Sequence, residues 1–333
     1  MPAAHRVQIE RVSVGDEDLG PHEVVVALRY SLLSPGTELA RWHGRSVQGV
    51  EPSEPAAGAF PFVPGYAAAG VVLSAGDASG FRPGERIFAH VGHQGVVRFD
   101  ATALICRPVP AGVADRAAPF ARLAQVGGAA LRLSSARPGD QAVVVGLGLV
   151  GILAAGLVRL AGLEVAAVDP SAARRAWARA VGVEAVLAPE EAGVLAGSAA
   201  LVLECSGRAG AVETAVRLAR RWGEVFLVGA PWEREPDVAA SGILGTVFEQ
   251  FLSLRSGWEW QLPRYGPDQR GSLAQVTDWI LAAIARGELP TEELVTDVVA
   301  PGEVAGAYQA LDEDPSAHLG VLVAWGRPED GSS

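Results

Sequence analysis

The stretch "VVVGLGLVG", Val143 to Gly151, sets Gly146-x-Gly148-x-x-Gly151 between an apolar run and the helical pattern "ILAAGLVRLAG". In that setting the three glycines permit a tight turn, a close backbone approach to a pyrophosphate, and packing of a helix on a strand. A helix opening at Leu149 and Val150 turns its N-terminus to the phosphate charge. Asp169 closes the next apolar run, 21 residues past Gly148, where a carboxylate can accept both hydroxyls of an adenosine ribose. The combination predicts a dinucleotide site. Asp169 also predicts NAD over NADP, because a 2′-phosphate would lie against its charge. Arg174 and Arg175 open the following helix and read as a solvated basic face, with Arg174 the residue to reach a phosphate if the carboxylate turned away.

Outward from this motif, "LEVAAVDP", "EAVLA", "AALVLECSG" and "EVFLVGAP" are further short apolar runs separated by Ala-, Leu- and Arg-rich helical stretches. Strands apolar on both faces and spaced by helices predict a parallel sheet covered on both sides. Cys205-Ser206-Gly207 and Val228-Gly229-Ala230 end two of these runs, where small residues fit a close approach of the nicotinamide half; they also read as ordinary strand-ending turns. From Val7 to about Arg107 the apolar residues alternate over short runs between Pro and Gly, which predicts a β-rich, partly barrel-like unit. After about Val247 the pattern is mixed, with a helix near Gly271 to Arg286 and a closing strand in "LGVLVAW". "EPSEPAAGAFP", Glu51 to Pro61, reads as a surface loop, either beside the substrate or a plain connector. The tail "GRPEDGSS" reads as frayed.

The 333 residues suit two domains, and a hydrophobic share of 49% places the chain among globular proteins. All 27 basic residues are arginine, so chemistry that needs a lysine Schiff base or a P-loop lysine is excluded. A net charge of -11 argues against a nucleic-acid partner. The first residues lack a signal-peptide core and no run is long and apolar enough for a bilayer, so no membrane is expected and the expected location is cytoplasmic. Cys106 and Cys205 form neither a disulfide framework nor a zinc lobe, and both read as buried small apolar residues.

"SPGTELARWHG", "FVPGYAAAGVV", "FRPGERIFA", "RPGDQAVVVGLGLVG", "LVLECSG" and "AYQALDEDPSAHLGVLVAW" together resemble the medium-chain dehydrogenase/reductase superfamily over nearly the whole chain. Within it, "SPGTE", "WHGR" and "PFVPGY" are most similar to bacteriochlorophyllide-type and related zinc-less dehydrogenases. The resemblance implies an α/β fold in which a GroES-like catalytic domain occupies residues 1–117 and again 256–333, with a Rossmann domain at 118–255. It implies an active-site cleft between them and a homodimer through the Rossmann sheet edge near Val247 to Arg255.

Position by position, the family's zinc-liganding cysteine falls at about Ser34-Pro35, its histidine at Tyr66, the neighbouring glutamate at Ala67, and the fourth-ligand region at Arg122 to Val126, which has no thiolate. No metal is therefore expected. The reservation is His90 and His93, whose spacing can put two imidazoles on one side of a turn, although two ligands hold zinc poorly.

Without a metal, hydrogen-bond donors must handle the charge on the reacting oxygen. Tyr66 is the first candidate, as a phenol that donates to a carbonyl or enolate oxygen; it also reads as an aromatic filling the space that zinc vacated. Thr37 matches the hydroxyl that relays protons in the zinc alcohol dehydrogenases, whereas the relay histidine falls at Ala40. Glu38 and His43 are candidates for the acid or base and also read as structural hydrogen-bonded groups. Trp232, Trp258, Trp260 and Tyr265 either line a pocket for a bulky substrate or pack a core. Three functions compete: an NAD-dependent, zinc-independent oxidoreductase interconverting a secondary alcohol and a ketone; an NADPH-dependent enoyl or quinone reductase; and a dinucleotide-binding sensor without catalysis. The substrate in the first two is a small molecule that the sequence does not identify.

Overall fold

The computed structural model describes residues 1–45, 60–256, 259–266 and 271–326. Residues 51–59 of the expected loop, Trp258, the Trp260 side chain and residues 327–333 of the tail lie outside the described residues.

In chain order the first unit holds β1 (Glu23–Leu32), α1 (Pro35–Trp42), β2 (Ala68–Ala75), β3 (Arg86–Ala89), β4 (Val96–Asp100) and β5 (Cys106–Pro108). After α2 (Phe120–Leu133) come β6 (Gln141–Val145), α3 (Leu149–Leu160), β7 (Glu164–Val168), α4 (Ala172–Ala180), β8 (Ala185–Leu187), β9 (Ala199–Glu204), α5 (Ala209–Leu218), β10 (Ala219–Leu227), α6 (Ala240–Gln250) and β11 (Ser253–Ser256). The chain closes with α7 (Leu273–Ala285), β12 (Val295–Val299), α8 (Val304–Glu313) and β13 (Gly320–Ala324).

The middle strands form a parallel sheet in the order β11-β10-β9-β6-β7-β8. The order reverses between β6 and β9, and that switch point opens a crevice at the carboxyl ends of the two strands. β6 and β9 are Val-, Ala- and Leu-rich and buried on both faces, as a sheet with helices on either side requires. β13, from the end of the chain, pairs antiparallel with β1, which also pairs with β2 and β4. The second sheet therefore draws on both ends of the sequence, in the order β12-β13-β1-β2-β3-β5.

One apolar core runs from Phe88 and Ile105 through α2 into α3 and α7. Gly127 in α2 lets α3 close in, since a Cβ there would lie 2.5 Å from Ala154 Cβ. α7 begins with a capping box in which the Ser272 side chain accepts from Gln275 N–H and the Gln275 side chain answers to the Ser272 N–H. α1 starts with Pro35, whose missing N–H is one the first turn leaves unpaired, and its far end stacks Trp42 on Tyr308 of α8 at 5.3 Å. This packing sets α1, the first turn of α2 and the ends of β6, β9 and β10 around one cleft.

Candidate active site

The cleft encloses about 780 Å³. One wall is the set of turns that follow the parallel strands. Gly146, with φ +90°, follows β6, and a Cβ on it would lie 2.8 Å from Ser206 N. A Cβ on Gly151 would lie 1.9 Å from Gly146 O, so Gly151 packs behind the turn and is not on the lining. Gly148 differs from both: a Cβ there meets nothing within 4 Å, because it faces open cleft. Gly148 caps α3 without a side-chain bond, and Leu149 and Val150 line the cleft beside it, so the helix opens its first N–H groups onto that part of the cleft.

Asp169 is 2% exposed and does not line the cleft. Its Oδ2 accepts from Leu147 N–H and its Oδ1 from Ser171 N–H, both at 2.7 Å. A buried carboxylate needs donors, and the nearest are those of the glycine turn it braces. Each oxygen keeps a further lone pair. The two arginines that open α4 take different places. Arg174 lines the cleft, donates to Pro315 O at 3.2 Å and has its Nε buried without a partner. Arg175 folds back onto Asp169 O and Pro170 O at 2.7 and 2.9 Å, satisfying carbonyls at the end of β7.

The turns after β9 and β10 interlock. A Cβ on Gly207 would lie 2.2 Å from Ala230 O, and one on Gly229 would lie 2.1 Å from Gly207 N. Glu204, fully buried at the end of β9, accepts from Ser206 N–H and from the Ser206 hydroxyl and Gly207 N–H, and burial pushes its carboxyl above the usual range. Cys205, Ser206, Gly207, Val228, Gly229 and Ala230 all line the cleft. Cys205 is thus not simply a core residue; burial, then Glu204, holds its thiol well above its ordinary value.

The opposite wall comes from α1, Phe62 to Tyr66 and the start of α2. Tyr66 donates to Ser34 Oγ at 2.5 Å, and Thr37 lines the cleft beside it. Burial pushes the Tyr66 phenol up, and Arg122, whose guanidinium carbon lies 4.8 Å from the ring centre, is the largest influence in the other direction. Tyr66, Thr37, Ser34 and Arg122 share the cleft with the glycine turns.

Glu38 is brought close but committed elsewhere. Its Oε1 accepts from Ser34 N–H at 2.9 Å, and its Oε2 meets His93 Nε2 at 2.9 Å and the Tyr308 hydroxyl. His93 in turn reaches Ser31 Oγ at 2.8 Å, which accepts from Trp325 Nε1. This network ties α1, β1, α8 and the end of β13 together, and in it Glu38 is a structural acceptor whose oxygens are both taken. His43 stays at the cleft, with Nε2 2.8 Å from Asp312 Oδ1.

His90 and His93 do not share a side. His90 Nε2 is buried without a partner beside a second cavity of about 320 Å³, next to Arg122 and Arg264. Burial first, then those two arginines, holds His90 well below its ordinary value. The donors around Tyr66 are hydroxyls and a guanidinium, which do not make a zinc site, and among the described residues no group of three or more His, Cys, Asp or Glu could hold a metal ion. Of the aromatic residues, Trp232 lines the cleft, whereas the Tyr265 hydroxyl pins the backbone at Leu104 and Cys106. Sequence reasoning missed Tyr308, Asp312 and Glu259, which lie 270, 269 and 137 residues from their partners Glu38, His43 and Arg122, a distance at which no motif spacing operates.

The family model described as zinc-binding dehydrogenase matches residues 150–252. The 2-desacetyl-2-hydroxyethyl bacteriochlorophyllide A dehydrogenase of Rhodobacter capsulatus is 30% identical over 324 residues, covering 93% of both chains. Its namesake from Cereibacter sphaeroides is 29% identical over 320 residues, covering 92% of this chain and 91% of the relative. Among solved structures, galactitol-1-phosphate dehydrogenase from Escherichia coli superposes with a TM-score of 0.78 at 18% identity, covering 96% of this chain and 97% of the other. The two sheets are accordingly the GroES-like and Rossmann parts of one α/β fold. The chain belongs to the medium-chain dehydrogenase/reductase superfamily and is an oxidoreductase of that type.

Proposed function

We propose that the protein is an NAD-dependent, zinc-independent oxidoreductase that interconverts a secondary alcohol and a ketone, and that Tyr66 is its proton-transferring side chain. The observation that carries this reading is the Tyr66 phenol, held by Ser34 and set beside Thr37 in the same cleft as the glycine turns. Gly146, Gly148, Leu149, Val150 and the Cys205–Gly207 and Val228–Ala230 turns would hold the dinucleotide, with Asp169 bracing the loop that meets its ribose. The nicotinamide, when bound, accepts or supplies hydride. Tyr66 takes or returns the proton on the substrate oxygen, and His43, oriented by Asp312, exchanges it with water at the rim. The Rhodobacter relative is named for a hydroxyethyl-bearing substrate, an alcohol, which supports this reaction class.

The domain limits of this reading are 1–117, 118–255 and 256–333, and its assembly is a homodimer. β11 is the edge of the parallel sheet, and α6 beside it has no buried residue: Leu244 and Phe248 are 63% and 77% exposed. An apolar edge of that kind favours pairing with a second copy.

A second reading, NADPH-dependent reduction of an enoyl or quinone substrate, is favoured by Arg174, whose unpaired Nε lies by the cleft while Asp169 is turned to the loop. One experiment separates them. Titration with NADH and NADPH, followed by nicotinamide fluorescence and with metal assayed on the same sample, gives NADH preference and no stoichiometric zinc under the first reading. NADPH preference supports the second. For the site, Tyr66→Phe is expected to lower kcat by about 10²-fold; unchanged turnover would remove Tyr66 from the chemistry.

A further inference from the structure

Arg122 occupies the first turn of α2, the segment where the resemblance puts a fourth zinc ligand, and its side chain is 12% exposed. Its Nη2 donates to Glu259, itself 4% exposed, in the segment that follows β11. Its Nη1 lies 3.5 Å from Gln125 Oε1, and Gln125 is fixed by Thr277 at 2.7 Å. Arg122 Nε and Glu259 Oε2 are buried and have no further partner. The guanidinium is therefore clamped from one end, and its carbon sits 4.8 Å from the centre of the Tyr66 ring.

We propose that Arg122, clamped by Glu259, is the fixed positive charge that takes over the electrostatic work of a metal at this site by stabilising the Tyr66 phenolate. This rests on the reading of Tyr66 as the proton-transferring group. During reduction the substrate carbon gains hydride from the reduced nicotinamide, and its oxygen gains the Tyr66 proton. The O–H bond of Tyr66 breaks as that of the product forms. The phenolate left behind carries its charge into a ring that already faces a cation, and water at the rim returns the proton by way of His43 before the next turnover. A cation over an aromatic face is attracted to the neutral ring and more strongly to an anionic one.

The other groups that face Tyr66 do not supply such a charge. Ser34 and Thr37 donate or accept as neutral hydroxyls, Glu38 on α1 opposes ionisation, and Tyr308 on α8 is a phenol bonded to Glu38 with His93 behind it. Arg122 is thus a positioning residue that acts through Tyr66.

The test is an ultraviolet difference titration of tyrosine ionisation in the cofactor-free protein, with Tyr66→Phe subtracted to isolate Tyr66 among the four tyrosines. Arg122→Gln is expected to move the Tyr66 titration to higher pH and to lower kcat for ketone reduction about tenfold or more at neutral pH, with KM within about twofold. Arg122→Lys returns both partway. Glu259→Gln, which removes the counter-charge, moves the titration the opposite way and serves if Arg122→Gln does not fold. A Tyr66 titration unmoved in Arg122→Gln or Glu259→Gln, with Tyr66→Phe inactive, overturns this proposal alone. Full turnover in Tyr66→Phe overturns the proton-transfer reading and this proposal with it.

Discussion

His43 Nε2 stands 2.8 Å from Asp312 Oδ1, joining the residue that ends α1 to the last turn of α8 across 269 positions. The pair lines the cleft and turns the His43 ring by one nitrogen, which leaves the other for exchange. His43→Gln is expected to lower kcat on the order of 10²-fold with little change in KM, and Asp312→Asn to lower it less, because it loosens the ring without removing it. Steady-state kinetics in both directions checks this; equal losses in kcat and dinucleotide affinity would point to a purely structural pair.

Substitution at Gly148 is expected to separate cofactor binding from folding. A Cβ there meets no atom within 4 Å, so Gly148→Val is expected to leave the Tm of the free protein unchanged while lowering dinucleotide affinity at least about tenfold. Gly146→Ala makes the contrast: with φ +90° and Ser206 at 2.8 Å, it costs about 1–3 kcal/mol of stability. Thermal melts and fluorescence titration of the two variants side by side decide the matter.

Tyr308 predicts an alkaline limit to stability. Burial, followed by the neighbouring Glu38, holds its phenol well above the ordinary 10.0. The unfolded chain therefore loses this proton first, so the stabilisation is fully present below about pH 10 and is lost as pH rises toward the folded value. Tyr66 shifts in the same direction. Urea melts from pH 8 to 11 are expected to show a steep decline in the wild-type protein and a shallower one in Tyr308→Phe, the pH range following from the ordinary phenol value of about 10; parallel curves would mean that Tyr308 ionises freely.

The network behind Tyr66 is expected to be intolerant of truncation. Glu38 is 2% exposed and accepts from Ser34, His93 and Tyr308, so Glu38→Ala leaves three groups without their acceptor and is expected to cost about 3–5 kcal/mol. Chemical denaturation measures it, and a loss under about 1 kcal/mol would place the carboxylate in solvent.

At the sheet edge, Phe248 is 77% exposed on α6, and nearby Trp222 and Phe251 stack at 4.4 Å with Arg221 over the latter ring. Phe248→Glu is expected to convert a dimer to a monomer in light scattering while keeping the far-ultraviolet spectrum. A wild-type protein that is monomeric at micromolar concentration would refute the assembly.

What the sequence determined by itself is what depends on neighbours along the chain. The apolar runs ending at Val145, Val168, Glu204 and Leu227 read as strands of a covered parallel sheet, and Gly146-x-Gly148-x-x-Gly151, set between a strand and a helix, reads as the turn joining them. The resemblance set the order of the two parts, and Tyr66 stood out because a residue of the wrong chemistry occupied a metal-ligand position. What only the tertiary structure decided is which side chains meet. Glu38 was legible as an acid or base or as a structural group, and the fold commits it to the second: Ser34 N–H takes one oxygen, and His93 and Tyr308 share the other. Arg174 was legible either as a solvated residue or as one that reaches a phosphate, and the fold places it on the cleft. Arg122 meets Glu259, and His43 meets Asp312, because the chain returns to its first unit after the parallel sheet. Hydrogen bonds and charges act over a few ångströms of space, and nothing local in a sequence specifies which distant residue will arrive within that range.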